Sequence, residues 1–541
     1  MKDVWRFPAF YCVCFVLCIF FSSCTTGVAQ KNTVMLSPAT KQILTFPNVG
    51  IADLQTLDPA VGLDQNATLV ANMIYSGLVR TDKDLKVIPD QATWQIADDG
   101  KVYTFFLNAE VAFSDGTPVT AQTYIYTWNR VFNSTSNSSV VSDLNLPIAG
   151  LNDFLTGKQT TISGLQALNA HTLQVTLTQP APYFLSVLTN PAFFAVNQQV
   201  VEHYQQEDWS QHVADSAVGT GPFMVQSWQH NVKMLFIPNP HYIGKRTNLA
   251  MVDMRFVDDP IVAFKASNAG QYDLVWGMDP QDQPAAKGLA GFAASPQLQT
   301  DALFFDPTQQ PFDALEVRQA LTYAIDRSAL AHTILHDVVV PTTTILPPGM
   351  PGYQEQKAGL SADVGRARDL LKSVYPDLSA FPPITLSFPN SQLSVAEGTA
   401  LQQMWQQNLG IQVSLQPVEE NAYEQELDAH SIAFGFVGWA ADFPDPYDVL
   451  AVNLLSTSNQ NPGQWKNDDF DQAINQAEAT SGQERLALYQ KAEQIALTDV
   501  AWFPLDHQKQ VAVLSSWVHG VTVNANGLYF GDWSSVYLSK H

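Results

Sequence analysis

The segment from residue 434 to residue 446 combines a large aromatic side chain, an unshielded main chain and a carboxylate. Its central residues are Gly438, Trp439, Ala440 and Ala441. Asp442 follows at the expected end of a strand, and the two prolines just after it lack the N–H group that a strand ladder needs. A carboxylate in that place can neutralise an ammonium group while neighbouring main-chain groups pair with an extended peptide. An ordinary strand and turn, with Asp442 solvated or capping, fits the same residues equally well.

Other chemistries are less well supported by the residue spacing. His332 and His336 share a helix face at the spacing of zinc proteases, but Thr333 stands where those enzymes need a glutamate base. Asp442, Asp445 and Asp448 lack the glycine and the terminal glutamate of a calcium loop, which favours a turn with solvated carboxylates. We therefore expect no metal, no cofactor and no enzymatic activity. An exported hydrolase that uses paired carboxylates such as Asp442 and Asp445 is the alternative.

Length and charge limit the class of protein. A chain of 541 residues is too long for one hydrophobic core, so two or three domains are expected. The formal net charge of -24 argues against nucleic acid, because binding it requires clustered basic residues that displace counterions. The same charge would be repelled by an anionic membrane surface.

The N-terminus has the pattern of an export signal. Lys2 and Arg6 precede an almost wholly apolar run at 9–21, which is followed by two serines and Cys24. Small residues before a cysteine look like a lipoprotein processing site, so residues 1–24 are predicted to be a lipoprotein signal peptide that leaves lipid on Cys24. Phe21 departs from the leucine more usual there, and an uncleaved anchor is the alternative. The small, polar residues 25–42 are predicted to form a flexible tether.

All four cysteines lie in this N-terminal segment, so the mature chain cannot form an internal disulfide or a cysteine zinc site. Beyond it, strand and helix patterns mix without a regular repeat. Strands are predicted at 43–47, 103–107, 172–177, 234–237, 251–257, 384–388, 411–415 and 510–514. Helices are predicted at 67–78, at 120–132 with Thr120 as its cap, and at 315–336, 394–408 and 485–497.

Short segments spread over most of the mature chain resemble the solute-binding proteins of ABC transporters that capture oligopeptides or dipeptides. They occur in that family's order and spacing, and the C-terminal residues 536–541 resemble its closing strand. The segments are Leu57-Asp58-Pro59, Tyr75-Ser76-Gly77-Leu78, Asp98-Asp99-Gly100 with Tyr103-Thr104-Phe105, residues 113–121, Gly219-Thr220-Gly221-Pro222-Phe223, Val317-Arg318-Gln319-Ala320-Leu321 through Ala324-Ile325-Asp326-Arg327, and residues 438–442.

The resemblance implies an α/β, two-lobed periplasmic-binding-protein-like fold, with a hinge and an extra domain inserted in the first lobe. The first lobe would comprise 43–82, 209–300 and 501–541, the inserted domain 83–208, and the second lobe 301–500. The protein would be an extracytoplasmic component of an ABC importer, lipid-anchored on the outer face of the cytoplasmic membrane. It would enclose an extended oligopeptide between its lobes and deliver it to permease subunits. We expect a monomer.

The resemblance also assigns the ligand-binding residues. Asp442 matches the family's anchor for the peptide α-ammonium group, with Gly438 to Ala441 as main-chain partners. Trp439 would pack over the first ligand side chain, or else fill the hinge region. Leu63 and Gln65 would pair with the ligand from the first lobe, or else lie in a surface loop. Family members that favour one peptide length often have a basic residue at the position of Phe436, so the partner of the ligand carboxylate stays open here.

A different cargo is the remaining alternative within binding proteins. The chain has 12 tryptophans and 17 tyrosines, which could stack on sugar rings. Members of the same superfamily also carry oligosaccharides or metal chelates, so the resemblance admits either in place of a peptide.

Overall fold

The computed structural model describes residues 36–38, 41–61, 63–133, 146–204, 208–216, 218–355 and 359–540. The predicted signal peptide, Cys24 and most of the predicted tether lie outside these residues. The last tether residues belong to the folded unit. Leu36 forms a bridge with Ser539, and the buried Gln42 donates from Nε2 to the carbonyl of Leu538 at 2.8 Å.

A four-stranded sheet forms the core of the predicted first lobe. Its strands, in spatial order, are Ile43–Val49, Met251–Val257, Lys233–Pro238 and Phe223–Gln229; the first pair is parallel and the others are antiparallel. The helix Gln65–Ile74 packs beside this sheet and begins after Asp64, whose side chain accepts from the N–H of Ala67. The predicted helix at 67–78 extends too far at its C-terminal end. The carbonyl of Ile74 accepts a hydrogen bond from the N–H of Gly221 at 2.9 Å and not from a following turn of helix.

A second sheet lies within the predicted inserted domain. Its antiparallel strands are Ala92–Ile96, Val102–Leu107, Thr172–Thr176 and Leu165–Asn169. The helix Ala121–Val131 covers it, and Thr120 forms a capping box with Thr123, which confirms the predicted cap. This domain also contains the short helices Leu151–Leu155, Phe184–Val187, Pro191–Phe193 and Gln198–His203. The short helices Pro59–Val61 and Trp209–His212 lie in the predicted first lobe, and the hairpin of Val79–Thr81 with Val87–Pro89 spans the predicted boundary.

The largest sheet has seven strands and a separate hydrophobic core on each face. In order it contains Leu274–Trp276, Trp502–Leu514, Phe292–Phe305, Phe434–Ala440, Ile384–Pro389 and Val413–Val418, with Val339–Pro341 pairing to Trp502–Leu514. The predicted β-α-β unit is confirmed, because Ile384–Pro389 and Val413–Val418 are parallel and flank the helix Gln392–Leu409.

Helices surround this sheet, and two short strand pairs close the C-terminal region. The helices are Pro260–Asn268, Gln283–Ala286, Leu315–Tyr323, Arg327–Ala329, Leu330–Ile334, Val364–Val374, Leu378–Ala380, Glu420–Asp428, Tyr447–Ala451, Val452–Leu454, Asp468–Glu478 and Gly482–Asp499. The pairs are Val518–His519 with Tyr537–Leu538 and Thr522–Asn524 with Gly527–Tyr529.

Two long antiparallel strands lie at the predicted lobe boundaries: Phe292–Phe305 crosses the boundary at residue 300, and Trp502–Leu514 begins just after the boundary at residue 500. At one end of this strand pair, residues 512–514 pair with Leu274–Trp276. At the other end, residues 299–305 pair with Phe434–Ala440 of the predicted second lobe. The register shifts between Pro296 and Thr300, close to the predicted lobe boundary at residue 300. The domain bounds themselves stay a prediction.

The predicted single helix at 315–336 was wrong. The first helix ends at Tyr323. Asp326 then adopts an extended conformation and caps the new short helix Arg327–Ala329, because its side chain accepts a hydrogen bond from the N–H of Ala329 at 3.0 Å. An Asp side chain that caps the backbone locally competes with helix continuation, which explains the break. No helix in the described part of the chain is long and apolar enough to cross a membrane.

Candidate ligand-binding cleft

A cavity of about 450 Å³ brings together residues from distant parts of the chain. One side is formed by the start of the helix Gln65–Ile74, the loop at 189–191 and the hairpin loop at 525–526. The other side is formed by residues 297–299 and by the end of the strand Phe434–Ala440, which we call the site strand. The lining residues are Pro59, Leu63, Gln65, Thr68, Asn72, Thr81, Thr189, Asn190, Pro191, Gln297, Leu298, Gln299, Ala440, Ala441, Asp442, Pro444, Ala525 and Asn526.

Five of the seven sequence-predicted binding residues line this cleft. Leu63 and Gln65 lie on one side, and Ala440, Ala441 and Asp442 lie on the other. The two groups are more than 370 residues apart in sequence, yet they face one cavity. Gly438 and Trp439 lie in the same strand but are not among the residues that line the cavity.

The main chain of the site strand has one paired edge and one open edge. Its residues pair antiparallel with Phe292–Phe305, and the N–H of Ala441 donates to the carbonyl of Leu298 at 2.7 Å. Because N–H groups alternate sides along a strand, those of Ala440 and Gly438 point away from that partner. On that second edge, Gly435 pairs with Ser387, and no further strand pair follows toward Ala440 among the described residues. The open edge can therefore accept an added strand.

Asp442 is exposed at the end of the site strand, while Asp448 nearby is fully buried. Asp448 Oδ2 accepts from the N–H of Asp442 and from Trp439 Nε1, both at 2.9 Å. Burial, together with the negative charge of Asp442, raises the pKa of Asp448 well above its usual range. The buried Asp448 side chain thus fixes the backbone of Asp442 and the indole of Trp439 through one oxygen. Trp439 packs against the core of the second lobe.

A buried ion pair holds the segment after Asp442. Arg485 donates from two nitrogens to the two oxygens of Asp445, at 2.7 and 2.8 Å. Two neighbouring aromatic residues, Phe443 and Tyr447, stack on Tyr183 of the predicted inserted domain. The expectation of solvated carboxylates was wrong for Asp445 and Asp448, because both are buried. With both oxygens of Asp445 bound to Arg485, a catalytic pair with Asp442 is disfavoured.

Sequence reasoning missed the amide side chains in the cleft. Gln297, Gln299 and Asn72 carried no pattern that separates a ligand contact from an ordinary surface residue. The hairpin with its loop at 525–526 had a partial signal, since Asn526 and Gly527 are residue types typical of turns and Gly527 has a positive φ. That hairpin reaches the cleft because the N–H of Leu298 donates to the carbonyl of Ala525 at 3.0 Å. The described residues include no acidic, histidine or cysteine group arranged to hold a metal ion.

A cleft between two sheet-based lobes, crossed by long strands and offering an open strand edge, defines a two-lobed solute-binding protein. The chain belongs to the bacterial extracellular solute-binding proteins, family 5, whose model matches residues 86–461. The family and the fold class predicted from the sequence are thereby confirmed.

Named relatives cover nearly the whole chain. A probable deoxycholate-binding periplasmic protein of Escherichia coli is 30% identical over 89% of this chain and 91% of its own length. The oligopeptide-binding protein OppA of Bacillus subtilis is 27% identical over 88% and 90%.

Solved structures match the fold over a similar range. The murein tripeptide-binding protein MppA in its unliganded open form matches with a TM-score of 0.79 and 25% identity, covering 94% of this chain and 99% of that chain. Listeria monocytogenes OppA bound to peptide matches with a TM-score of 0.72 and 25% identity, covering 92% and 99%.

Proposed function

We propose that this protein captures extended peptides in the cleft and presents them to the permease of an ABC importer. The observation that carries the proposal is the position of Asp442, which is exposed in the cleft at the end of a strand whose outer edge is open. Relatives named for oligopeptide binding, in Bacillus subtilis and in Salmonella typhimurium, support a peptide as the cargo.

Each part of the cleft contributes a different interaction. The carboxylate of Asp442 pairs with the peptide α-ammonium group, since a charged amine taken out of water needs a partner. The outward main-chain groups of Gly438 and Ala440 pair with the peptide backbone as an added strand, and such pairing is independent of the peptide sequence. Leu63 and Gln65 contact the ligand from the first lobe. Trp439 supports the strand through its hydrogen bond to Asp448.

We further propose that the protein is exported, is anchored through lipid on Cys24 and acts as a monomer without turnover of its ligand. Support comes from the N-terminal signal pattern, from relatives named as periplasmic, and from the ion pair that occupies Asp445. Metabolic labelling with a lipid precursor tests the anchor. Wild type should incorporate label and Cys24→Ser should not.

A second cargo is favoured by one observation, a cavity of about 200 Å³ beside the cleft. It is lined by aromatic side chains and by Arg80, and Nε1 of the buried Trp276 has no hydrogen-bond partner among the described residues. The same cavity contains two carboxylates, Asp532 and Asp90, and Asp90 Oδ1 lies 3.9 Å from Arg80 Nε. Its aromatic lining fits an apolar body such as that of deoxycholate, for which one relative is named.

The test is native mass spectrometry of the purified protein, followed by calorimetry. We expect co-purified masses in the range of short peptides, released unchanged, and tighter binding of a free-amine tripeptide than of its N-acetylated form. Equal affinity for both forms would contradict the role of Asp442. Binding of deoxycholate with no binding of any tripeptide would replace the first proposal with the second.

A further inference from the structure

Three acidic side chains form a cluster beside the site strand that the peptide-binding role does not yet use. They are Asp301 in the strand Phe292–Phe305, Asp506 in the strand Trp502–Leu514, and Glu397 in the helix Gln392–Leu409. We call this cluster the acidic pocket. No Lys, Arg or His forms an ion pair with any of the three within the described part of the chain.

The sheet register places the acidic pocket under the open part of the site strand. Asp301 lies directly opposite Gly438 on one side and Asp506 on the other. Residues directly opposite one another in a sheet point to the same face, so both carboxylates project from the face that Gly438 shares. The carboxylate of Asp301 lies against the main chain of Gly438, since a Cβ atom there would lie 2.7 Å from Asp301 Oδ1.

The helix Gln392–Leu409 contributes the third carboxylate, Glu397, because of the position of this residue on the buried helix face. Glu397, Leu401 and Trp405 recur every fourth residue and share one face. Leu401 and Trp405 are fully buried in the core over the sheet, and Glu397 lies one turn earlier, 7% exposed. The helix therefore presents a carboxyl group at the end of the core where the sheet presents Asp301 and Asp506.

The pocket holds acceptors that lack donors. Asp301 receives the amide groups of Gln299, at 3.0 Å, and of Gln508. Asp506 is 2% exposed, and its Oδ1 has no hydrogen-bond partner among the described residues; the same holds for Oε1 of Glu397. A buried carboxyl oxygen without a donor is costly, so these atoms point to a donor that arrives from outside. Burial, together with the negative charge of Asp301, raises the pKa of Glu397 to about 8, so this carboxyl holds its proton more readily than an exposed glutamate does.

We propose that the acidic pocket receives a basic side chain of the bound peptide, an ammonium or guanidinium group on a flexible stem. A ligand strand on the open edge places the side chain of the residue opposite Gly438 on the face of Asp301 and Asp506. The cation then supplies the donors that the buried oxygens lack. This inference rests on the proposed peptide function and adds to it a preference for lysine or arginine at one ligand position.

The test compares tripeptides that differ in one side chain. Lysine, its neutral isostere norleucine, and glutamate are placed in turn at each position of an otherwise all-alanine peptide, and affinities are measured by calorimetry. At one position, lysine should bind about tenfold or more tighter than norleucine, and glutamate should bind weakest. Lysine no better than norleucine at every position would overturn the inference.

Variants locate the preference. Glu397→Gln and Asp506→Asn should each reduce the ratio of lysine to norleucine affinity to within about threefold, because each removes a carboxylate charge that would pair with the cation. Asp153→Asn, a change at an exposed carboxylate of the predicted inserted domain, should leave the ratio unchanged. An unchanged ratio in Glu397→Gln and Asp506→Asn would overturn the assignment.

The outcomes separate the two proposals. Tripeptides that bind with a free-amine requirement but without a lysine preference overturn the acidic pocket alone. Failure of every tripeptide to bind overturns the peptide function and this inference together. If a buried variant does not fold, as judged by its melting curve, the wild-type peptide series still decides the question.

Discussion

Asp442 and Asp448 are two neighbouring carboxyl groups in different surroundings. The exposed one lies in the cleft, and the buried one accepts hydrogen bonds that hold the first in place. The charge is therefore kept where a ligand can reach it, since burial makes ionisation of Asp448 unfavourable. This division of roles predicts different effects for substitution at each position.

Substitution of the exposed member should remove the ammonium anchor. We expect Asp442→Asn to weaken binding of a free-amine peptide by about 2 to 5 kcal/mol, because the ligand charge loses its partner. An N-acetylated peptide should bind wild type and variant almost equally. Calorimetry with both ligands measures this, and equal losses for the two would argue against the anchor.

Two substitutions of the buried Asp448 distinguish the role of its hydrogen bonds from the role of its charge. Asp448→Asn keeps an acceptor for Trp439 and for the N–H of Asp442, so peptide affinity should change by less than about 1 kcal/mol. Asp448→Ala leaves both donors without a partner and should weaken binding and lower the melting temperature. A large loss in Asp448→Asn would show that Asp448 carries charge.

At the scale of elements, the site strand depends on a glycine at one position. Gly438 has ordinary strand conformation, so the requirement comes from its neighbour, with Asp301 Oδ1 only 2.7 Å from where a Cβ atom would lie. A contact of that length forces the strand or the carboxylate to move. Main-chain pairing with a ligand needs the strand edge to stay in place. A side chain at position 438 would therefore also disturb ligand binding in the cleft.

Gly438→Ala should therefore weaken binding of peptides of every sequence, and lower stability by about 1 to 3 kcal/mol through overpacking. The double variant Gly438→Ala with Asp301→Ser should recover part of the stability, because the shorter side chain makes room. Denaturant unfolding measures the stability and calorimetry the affinity. No recovery in the double variant would show that Asp301 is not the cause.

Local sequence signals predicted elements well where the signal and the tertiary contacts agree. The β-α-β unit and the Thr120 cap followed from alternation, periodicity and a capping residue. The helix predicted at 315–336 failed because apolar spacing continued across Asp326, while that side chain caps a new turn. Periodicity reports which face is buried, and it does not report a change of axis within a buried segment.

At the scale of the whole molecule, buried acids make stability depend on pH. Burial raises the pKa of Glu397 to about 8, whereas in an unfolded chain a glutamate titrates near about 4.3. Between these values the folded state holds a proton that the unfolded state has lost, so stability falls as pH rises. Burial of His507 lowers its pKa to about 4, which acts in the opposite direction, but only below its unfolded value of about 6.5.

The unliganded protein should therefore lose stability between about pH 6.5 and pH 8. Glu397→Gln should make this part of the profile less steep, because glutamine has no proton to release, while the raised pKa values of the buried Glu478 and Glu493 still contribute. Melting temperature measured at constant ionic strength checks both statements. A flat or rising wild-type profile in this range would contradict the protonated state of the acidic pocket.

The sequence by itself determined the local chemistry of this protein: the strand end with its aspartate, the small residues that leave the main chain open, and the family resemblance that ties them to a ligand. It also placed Leu63 and Gln65 among the candidates, which the fold brings to the same cleft as Asp442. These features depend on residue type and short spacing, which a chain carries before it folds.

Only the tertiary structure decided which side chains share a space. Trp439 packs into the second lobe and not into the cleft cavity, because its strand face is set by the partner strands. Asp301, Glu397 and Asp506 lie far apart in sequence and meet only where a helix crosses the sheet. Register and helix packing are fixed by contacts between distant segments, so no local pattern could have shown the acidic pocket.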